Sequence, residues 1–154
     1  MRWRQGVAVA ALAALLLTGC RGGRDPRPPA IRYDRDVCAE CGMIISDERF
    51  AAAYVTKSGE ARLFDDLGDM LVYEKKDDQE PIAYYVHDVR SRKWIPAEAA
   101  YYVRGESVKS PMGWNIAAFE NEAEAREFAE KTGSRLMTWQ ELRAADLTMP
   151  HAHR

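Results

Sequence analysis

Cys38 and Cys41 stand two residues apart in "DVCAECGMI", residues 36–44, and Gly42-Met43 follows at once. The Cys-x-x-Cys spacing serves zinc knuckles, dithiol redox sites, haem attachment and soft-metal carriers. Haem attachment requires a histidine directly after the second cysteine, and Gly42 occupies that place. Structural zinc requires four ligands, usually a second cysteine pair or closely spaced histidines. No second pair exists, His87 stands alone, and His151 and His153 lie at the far end. A thioredoxin-like dithiol places the pair between a strand and a long helix. Here the apolar, β-like run Met43-Ile44-Ile45 follows instead. A Cu(I) site favours thiolate and thioether donors, and "CAECGM" offers two cysteine sulfurs and a methionine sulfur within six residues. Gly42 lets the backbone turn tightly between them. Zinc, redox and soft-metal chemistry all stay open at this point, with the last fitting the residues best.

Other candidate donors read more plainly. Met112 sits in "SPMGW", a Pro- and Gly-containing loop, and is a candidate third sulfur. Met70 and Met137 fall within element patterns and read as core filler. His87 lies in an aromatic run and reads as structural. Met149, His151 and His153 form a terminal "MPHAH" that reads as a frayed end or a copper-collecting tail. Trp94 and Trp114 flank loops and read as packing residues.

The compartment sharpens the cysteine count. "MRWRQ" followed by the apolar run "GVAVAALAALLL" has the order of a signal peptide, residues 1–19. "LLTGC" resembles a bacterial lipobox, which makes Cys20 the lipidated first residue of the mature chain. Arg21 stands where an aspartate would mark inner-membrane retention, so the expectation is a periplasmic-facing lipid anchor in the outer membrane. A disulfide between Cys38 and Cys41 closes too small a ring to restrain the unfolded chain much. The chain carries 22 Lys and Arg against 24 Asp and Glu, well mixed, which argues against a nucleic-acid partner.

The elements that must position these residues follow from patterning. Residues 20–30 read as the lipidated cysteine and a Gly-, Pro- and Arg-rich linker, 31–148 as the folded domain and 149–154 as a tail. "RFAAAYVTKSGEARLFDD" reads as a β-hairpin turning at Ser58-Gly59. Leu67, Met70, Leu71 and Glu74 recur at helical spacing behind a cap at Asp65 or Asp66. "PIAYYVHDVR" reads as a strand. "KWIPAEAAYYVRGE" breaks at Pro96 and resumes over residues 100–103. "ENEAEAREFAEKTG" is the clearest helix, with Gly133 as its C-cap. "SRLMTWQEL" reads as a last strand with a short helical turn at residues 141–142. The two stretches "ARLFDDLGDMLVYEKK" and "WNIAAFENEAEAREFAEK" each run strand, Phe, acidic cap, helix. The expected architecture is therefore α+β, two ββαβ-like units with helices packed on antiparallel sheet.

"CAECGM", "LFDDLGDML", "KWIPAEAAYYV", "SPMGWNIAAF" and "AEAREFAEKTGSRLMTWQEL" together resemble the NosL family of nitrous-oxide-reductase accessory lipoproteins, over about residues 36–142. The resemblance implies a periplasmic, membrane-anchored Cu(I)-binding chaperone and no enzyme. Its implied partners are nitrous oxide reductase or its apo form, and an ABC-type membrane complex that assembles the copper centres. It implies a fold of two ββαβ-like units related to organomercurial lyase. Cys41 and Met43 match the family's Cys-Gly-Met and Met112 its Pro-Met-Gly, which implies sulfur ligation by all three. Cys38 matches a position that either ligates or supports the site. The "FDDLGDM" acids acquire no role from the resemblance beyond a helix cap, or a docking surface at Asp66 or Asp69. The alternative reading is an exported thiol-disulfide oxidoreductase that keeps another protein's metal-binding cysteines reduced.

Overall fold

The computed structural model describes residues 26–148, so Cys20, Met149, His151 and His153 lie outside the described residues. Two antiparallel sheets organise the chain. In the first half, β1 (Ala52–Thr56) and β2 (Ala61–Phe64) form the expected hairpin, followed by α1 (Leu67–Glu74), β3 (Pro81–His87) and β4 (Trp94–Pro96). Their order in the sheet is β2-β1-β3-β4. In the second half, β5 (Tyr101–Arg104) and β6 (Ile116–Phe119) are followed by α2 (Glu122–Thr132), β7 (Arg135–Met137) and α3 (Trp139–Ala144). Their order is β6-β5-β7. Each half thus runs β-β-α-β with its first strand in the middle, and the α+β fold of two ββαβ-like units is the observed one.

The local reasons are those the sequence carries, with two corrections. Leu67, Met70 and Leu71 turn one face of α1 into the core, and Asp66 caps it by accepting from the Gly68 N–H. The cap of α2 is not acidic, as the echo suggested, but Asn121, whose side-chain oxygen accepts from the Glu124 N–H. Asn and Asp cap equally well because both present a short side-chain oxygen to the free N–H groups. Gly133 ends α2 in the left-handed conformation, φ 64°. The last strand is only three residues long. From Trp139 the chain is a six-residue helix, because Thr138 and Glu141 form a reciprocal capping box at its start.

The halves share one core. Tyr84 of β3 and Tyr102 of β5 both pack on Trp139, with ring centroids 5.4 and 5.8 Å apart. Asp88, just past β3, accepts from the Ser91 and Glu120 N–H groups at 2.6 and 3.0 Å and so stitches the first half to the end of β6. Met70 and Met137 are buried in this core. The outer face of the first sheet is covered by the N-terminal segment. The Tyr85 hydroxyl donates to the Pro26 carbonyl, and Tyr33 reaches His87 Nε2 at 3.3 Å. His87 also meets the Ala51 carbonyl through Nδ1 at 2.9 Å and stacks on Trp94 at 3.7 Å. Both of its nitrogens are engaged within the protein, as a structural histidine requires.

Candidate metal centre

Residues 36–45 fold back on themselves as a small knuckle. Val37 and Ile44 form an antiparallel bridge. Inside it the Cys38 N–H donates to the Met43 carbonyl at 2.8 Å, and the Gly42 N–H to the Cys38 carbonyl at 3.1 Å. Gly42 sits at φ 73°, a backbone conformation that glycine adopts without steric cost. The Ala39 N–H donates to the Leu63 carbonyl at 2.9 Å and seats the knuckle on the end of β2, beside the N-terminus of α1.

The two cysteines are free thiols in different settings. Cys38 is buried and Cys41 half-buried. Cys38 Sγ donates to Asp69 Oδ2 at 3.3 Å. The two sulfurs and an Asp69 carboxylate oxygen all lie within 4.8 Å of one another. Burial pushes the Cys38 thiol up, and pushes Cys41 up strongly, with hydrogen bonding to Asp69 and Cys38 adding to the rise. Both thiols are therefore protonated in the empty site at neutral pH, and a metal must displace those protons to bind. Reactive redox cysteines show the opposite, a thiol lowered at a helix N-terminus or beside a cation. Here burial raises both thiols instead, which weighs against the oxidoreductase alternative.

The loop that carries Met112 is latched to the same helix. The Met112 N–H donates to Asp66 Oδ2 at 3.1 Å, and the Trp114 indole N–H donates to Asp69 Oδ1 at 2.7 Å. Trp114 lies directly against Gly68, where a Cβ would fall 2.0 Å from the indole Cγ. Only glycine fits there, and that close approach brings the "SPMGW" loop down onto the first turn of α1. Burial raises Asp66 to about 6, opposed by hydrogen bonds from Ser110, Gly68 and Met112.

The expected residues are placed as follows. Cys38 and Cys41 come together. Met112 and Cys41 are half-buried and pack against the same core. Met43 is 57 % exposed and, with Val37 and Ile44, makes an apolar rim on the knuckle. Asp66 and Asp69 are both fully buried, so neither belongs to a docking surface as the sequence allowed. Trp94 and Trp114 do pack rather than offer donors, but Trp114 also aims Asp69. Sequence reasoning offered Asp69 to a docking surface and did not place it beside the thiols. The larger open concavities, about 660 and 510 Å³, lie elsewhere, one beside Lys57 and Ile82 and one beside Phe50 and Phe128. The thiol pair lines neither of them.

Three comparisons bear on this arrangement. The NosL family model matches residues 30–147. The copper-binding lipoprotein NosL of Stutzerimonas stutzeri is 30% identical over 150 residues, covering 89% of this chain and 79% of the relative. The crystal structure of the copper chaperone NosL from Shewanella denitrificans superposes with a TM-score of 0.65 at 25% identity, covering 75% of this chain and 95% of that one.

Proposed function

The chain belongs to the NosL family, and on that premise we propose that it is a Cu(I) chaperone rather than an enzyme. It is anchored through a lipid on Cys20 to the periplasmic face of the outer membrane, and it delivers copper for assembly of the copper centres of nitrous oxide reductase. Its partners in that reading are apo nitrous oxide reductase, an ABC-type assembly complex and the membrane. The observation that carries the copper assignment is the pair of free thiols within 4.8 Å, one buried and one half-exposed. Two sulfurs at that range suit a soft monovalent cation. Met112, whose N–H is latched to Asp66 at the start of α1, and Met43, on the exposed side of the knuckle, complete the sulfur donors in this reading.

The asymmetry suits transfer. Cys38 is fixed by Asp69 and holds the ion, while the half-exposed Cys41 and the exposed Met43 meet the incoming or outgoing ligand. A site with few ligands and an accessible edge lets an acceptor sulfur bind before the donor sulfurs leave, which a closed four-ligand site prevents.

The test is an anaerobic Cu(I) titration of the reduced full chain in detergent against a competing chelator. The wild type holds Cu(I) more tightly than cellular thiol buffers. Cys38→Ser and Cys41→Ser weaken it by roughly 100-fold or more, and Met43→Leu and Met112→Leu by about tenfold, each tenfold being about 1.4 kcal/mol. Unchanged affinity in Cys41→Ser sinks the assignment. Delivery is read separately, as the copper content of nitrous oxide reductase in cells lacking this chain. The anchor is read by membrane fractionation of Cys20→Ser.

A further inference from the structure

The second unit has a core of its own, apart from the one that both halves share. Val103 of β5 and Ala117 and Phe119 of β6 pack with Ala125, Phe128 and Ala129 of α2. Two turns from elsewhere in the chain join them. Phe50 comes from the turn before β1, where its N–H donates to the Asp47 carbonyl at 3.2 Å. Val108 comes from the turn after β5, where its N–H donates to the Gly105 carbonyl at 2.9 Å. The cluster is not closed over, and an open groove of about 510 Å³ lies on it. The groove's floor is Phe50, Val108, Ala117, Phe119 and Phe128, all buried or half-buried. Its rim is Arg49, Arg90, Ser107 and Lys109, all exposed, and no Asp or Glu lines it.

We propose that this groove is a binding site for a small amphipathic monoanion, an aryl-alkyl carboxylate, with its ring on the phenylalanines and its carboxylate at Lys109. The proposal is independent of the copper reading, because no sulfur donor lines the groove.

Size, shape and charge each narrow the ligand. Small-molecule sites are concavities of roughly 300–1,000 Å³, mostly apolar, with a few polar groups that fix orientation. The groove has that size and that composition. The room comes from small side chains, Ala117 on the sheet and Ala125 and Ala129 on the helix. Three of the floor residues are phenylalanines, and the Phe119 and Phe128 rings stand 5.6 Å apart in a tilted pair. A further ring extends such a pair edge-on or offset, which favours an aryl tail over an alkyl one. The rim decides the head group. Among the described residues Lys109 forms no ion pair. Arg49 spends Nε and Nη2 on Asp47, and Arg90 spends Nε on Glu124. A guanidinium has five N–H donors, so both forks keep donors to spare. Both ion pairs are part-exposed and screened by water, so turning a fork towards a ligand costs little. One free cation and two partly spent ones suit a single negative charge. A cationic head would meet repulsion from all three, and a wholly polar anion would gain nothing from the floor.

The test titrates phenylbutyrate into the full chain held in phosphatidylcholine nanodiscs and follows the methyl resonances of Val89, Val108 and Ala117, which line the groove. The wild type shows saturable shifts at all three. Phenylbutanol, the same tail without the charge, binds roughly tenfold more weakly, and so does phenylbutyrate to Lys109→Glu. Lys109→Arg keeps the affinity within about threefold, since either cation meets a carboxylate. Ala117→Leu fills the groove and abolishes the shifts at Val89 and Val108. The absence of a saturable shift by about 10 mM overturns the proposal, since ordinary ligand efficiency gives a molecule of this size roughly millimolar binding. Equal binding of phenylbutanol, or undiminished binding to Lys109→Glu, reduces the groove to an apolar cleft and also overturns it. So does an Ala117→Leu chain that folds and still binds. If Ala117→Leu does not fold, the variants at exposed Lys109 decide alone. Shifts of the same methyls with protein concentration, in the absence of ligand, make the groove an interface between two copies and overturn the small-molecule assignment.

Discussion

The two ββαβ units use the same local grammar to different ends. Each places a helix N-cap two residues after a strand-ending phenylalanine, Asp66 after Phe64 and Asn121 after Phe119. Each carries an acid as the third residue of the helix, Asp69 in α1 and Glu124 in α2. In the second unit that acid lies at the surface and pairs with Arg90 at 3.1 Å. In the first it is fully buried, held by Trp114 and facing Cys38. Helix and cap are alike, and the difference lies in what covers them. The knuckle and the "SPMGW" loop close over the start of α1, whereas the start of α2 meets solvent. The fold supplies an acid at a helix N-terminus twice, where it suits the helix dipole, and the covering loops turn one of the two into a buried neighbour of the thiol pair.

The largest effect should come from the residue that permits that covering. A methyl group at Gly68 falls 2.0 Å from Trp114, so the indole must move and its hydrogen bond to Asp69 is lost. Gly68→Ala should destabilise by about 3 kcal/mol or more, from overpacking of ~1–3 kcal/mol and a lost charge-assisted hydrogen bond of ~1.5–3 kcal/mol, less the small gain in helix propensity. The matching change in the second unit, Ala123→Gly at an exposed position, should cost about 1 kcal/mol or less. Urea unfolding of both variants checks the contrast, and equal losses would dissolve it.

The caps come next. Asn121→Ala should cost about 1 kcal/mol, the ordinary value of a helix cap. Asp66→Ala removes the same cap and also strands the Met112 N–H, so it should cost about 2 kcal/mol, with roughly 1 added for the unsatisfied buried donor. Only Asp66→Ala should loosen the "SPMGW" loop. Hydrogen exchange at the Met112 amide, faster in Asp66→Ala and unchanged in Asn121→Ala, separates the two.

The same comparison shows what a single sequence reveals. Hairpin, helices and the repeated unit were legible because alternation, helical spacing and Gly133 are local signals. The chain kinship was legible in five quoted stretches. The length of α3 was available in Thr138-x-x-Glu141, a capping-box signature, but the apolar "RLM" before it invited extension of the strand. The pairing of Cys38 with Cys41 needed only their spacing. The role of Asp69 was hidden, because an acid in the first turn of a helix is ordinarily exposed, as Glu124 is. What buries it is a tryptophan 45 positions later in the chain. One local hint existed. A glycine inside a helical pattern marks a close approach, and Gly68 stands directly before Asp69. Sequence also offered Asp66 and Asp69 to a docking surface, since patterning does not show which loops return to cover a helix end.

Sensitivity to acid should also divide between the units, because the one described histidine, His87, lies in the first. Burial lowers it below its usual 6.5. It faces Tyr33, the Ala51 carbonyl and Trp94, with Glu48 nearby as a small opposing influence. The unfolded chain takes up a proton at about 6.5, before the native state does. His87 therefore subtracts stability as pH falls from that value towards its lowered native value, by at most about 1.4 kcal/mol per pH unit. Above pH 7 its contribution is constant. His87→Gln should have a flatter stability profile between pH 7 and 5 than the wild type. Comparing the two chains cancels the opposite trend from Asp66, whose native value is raised to about 6. Parallel profiles would show that another group carries the acid response.

The smallest effect is the sharpest control on the comparison. Glu124 and Arg90 form an ion pair with side chains about half exposed, 46% and 52%. Such pairs contribute between zero and ~1 kcal/mol, because water screens the charges and ordering two long side chains offsets the attraction. Glu124→Gln should therefore change stability by less than about 0.5 kcal/mol, the remainder being a small loss at the positive end of the helix dipole. Salt at about 1 M should erase even that, since the screening length falls to ~3 Å. Cu(I) binding should not change at all. Asp69→Asn, the same chemical change at the matching place in α1, replaces the carboxylate that holds Cys38 and should weaken Cu(I) by roughly tenfold. If Glu124→Gln altered metal binding as much, the two acids would act through the fold in general. If Asp69→Asn were as silent as Glu124→Gln, the cover over α1 would be packing alone.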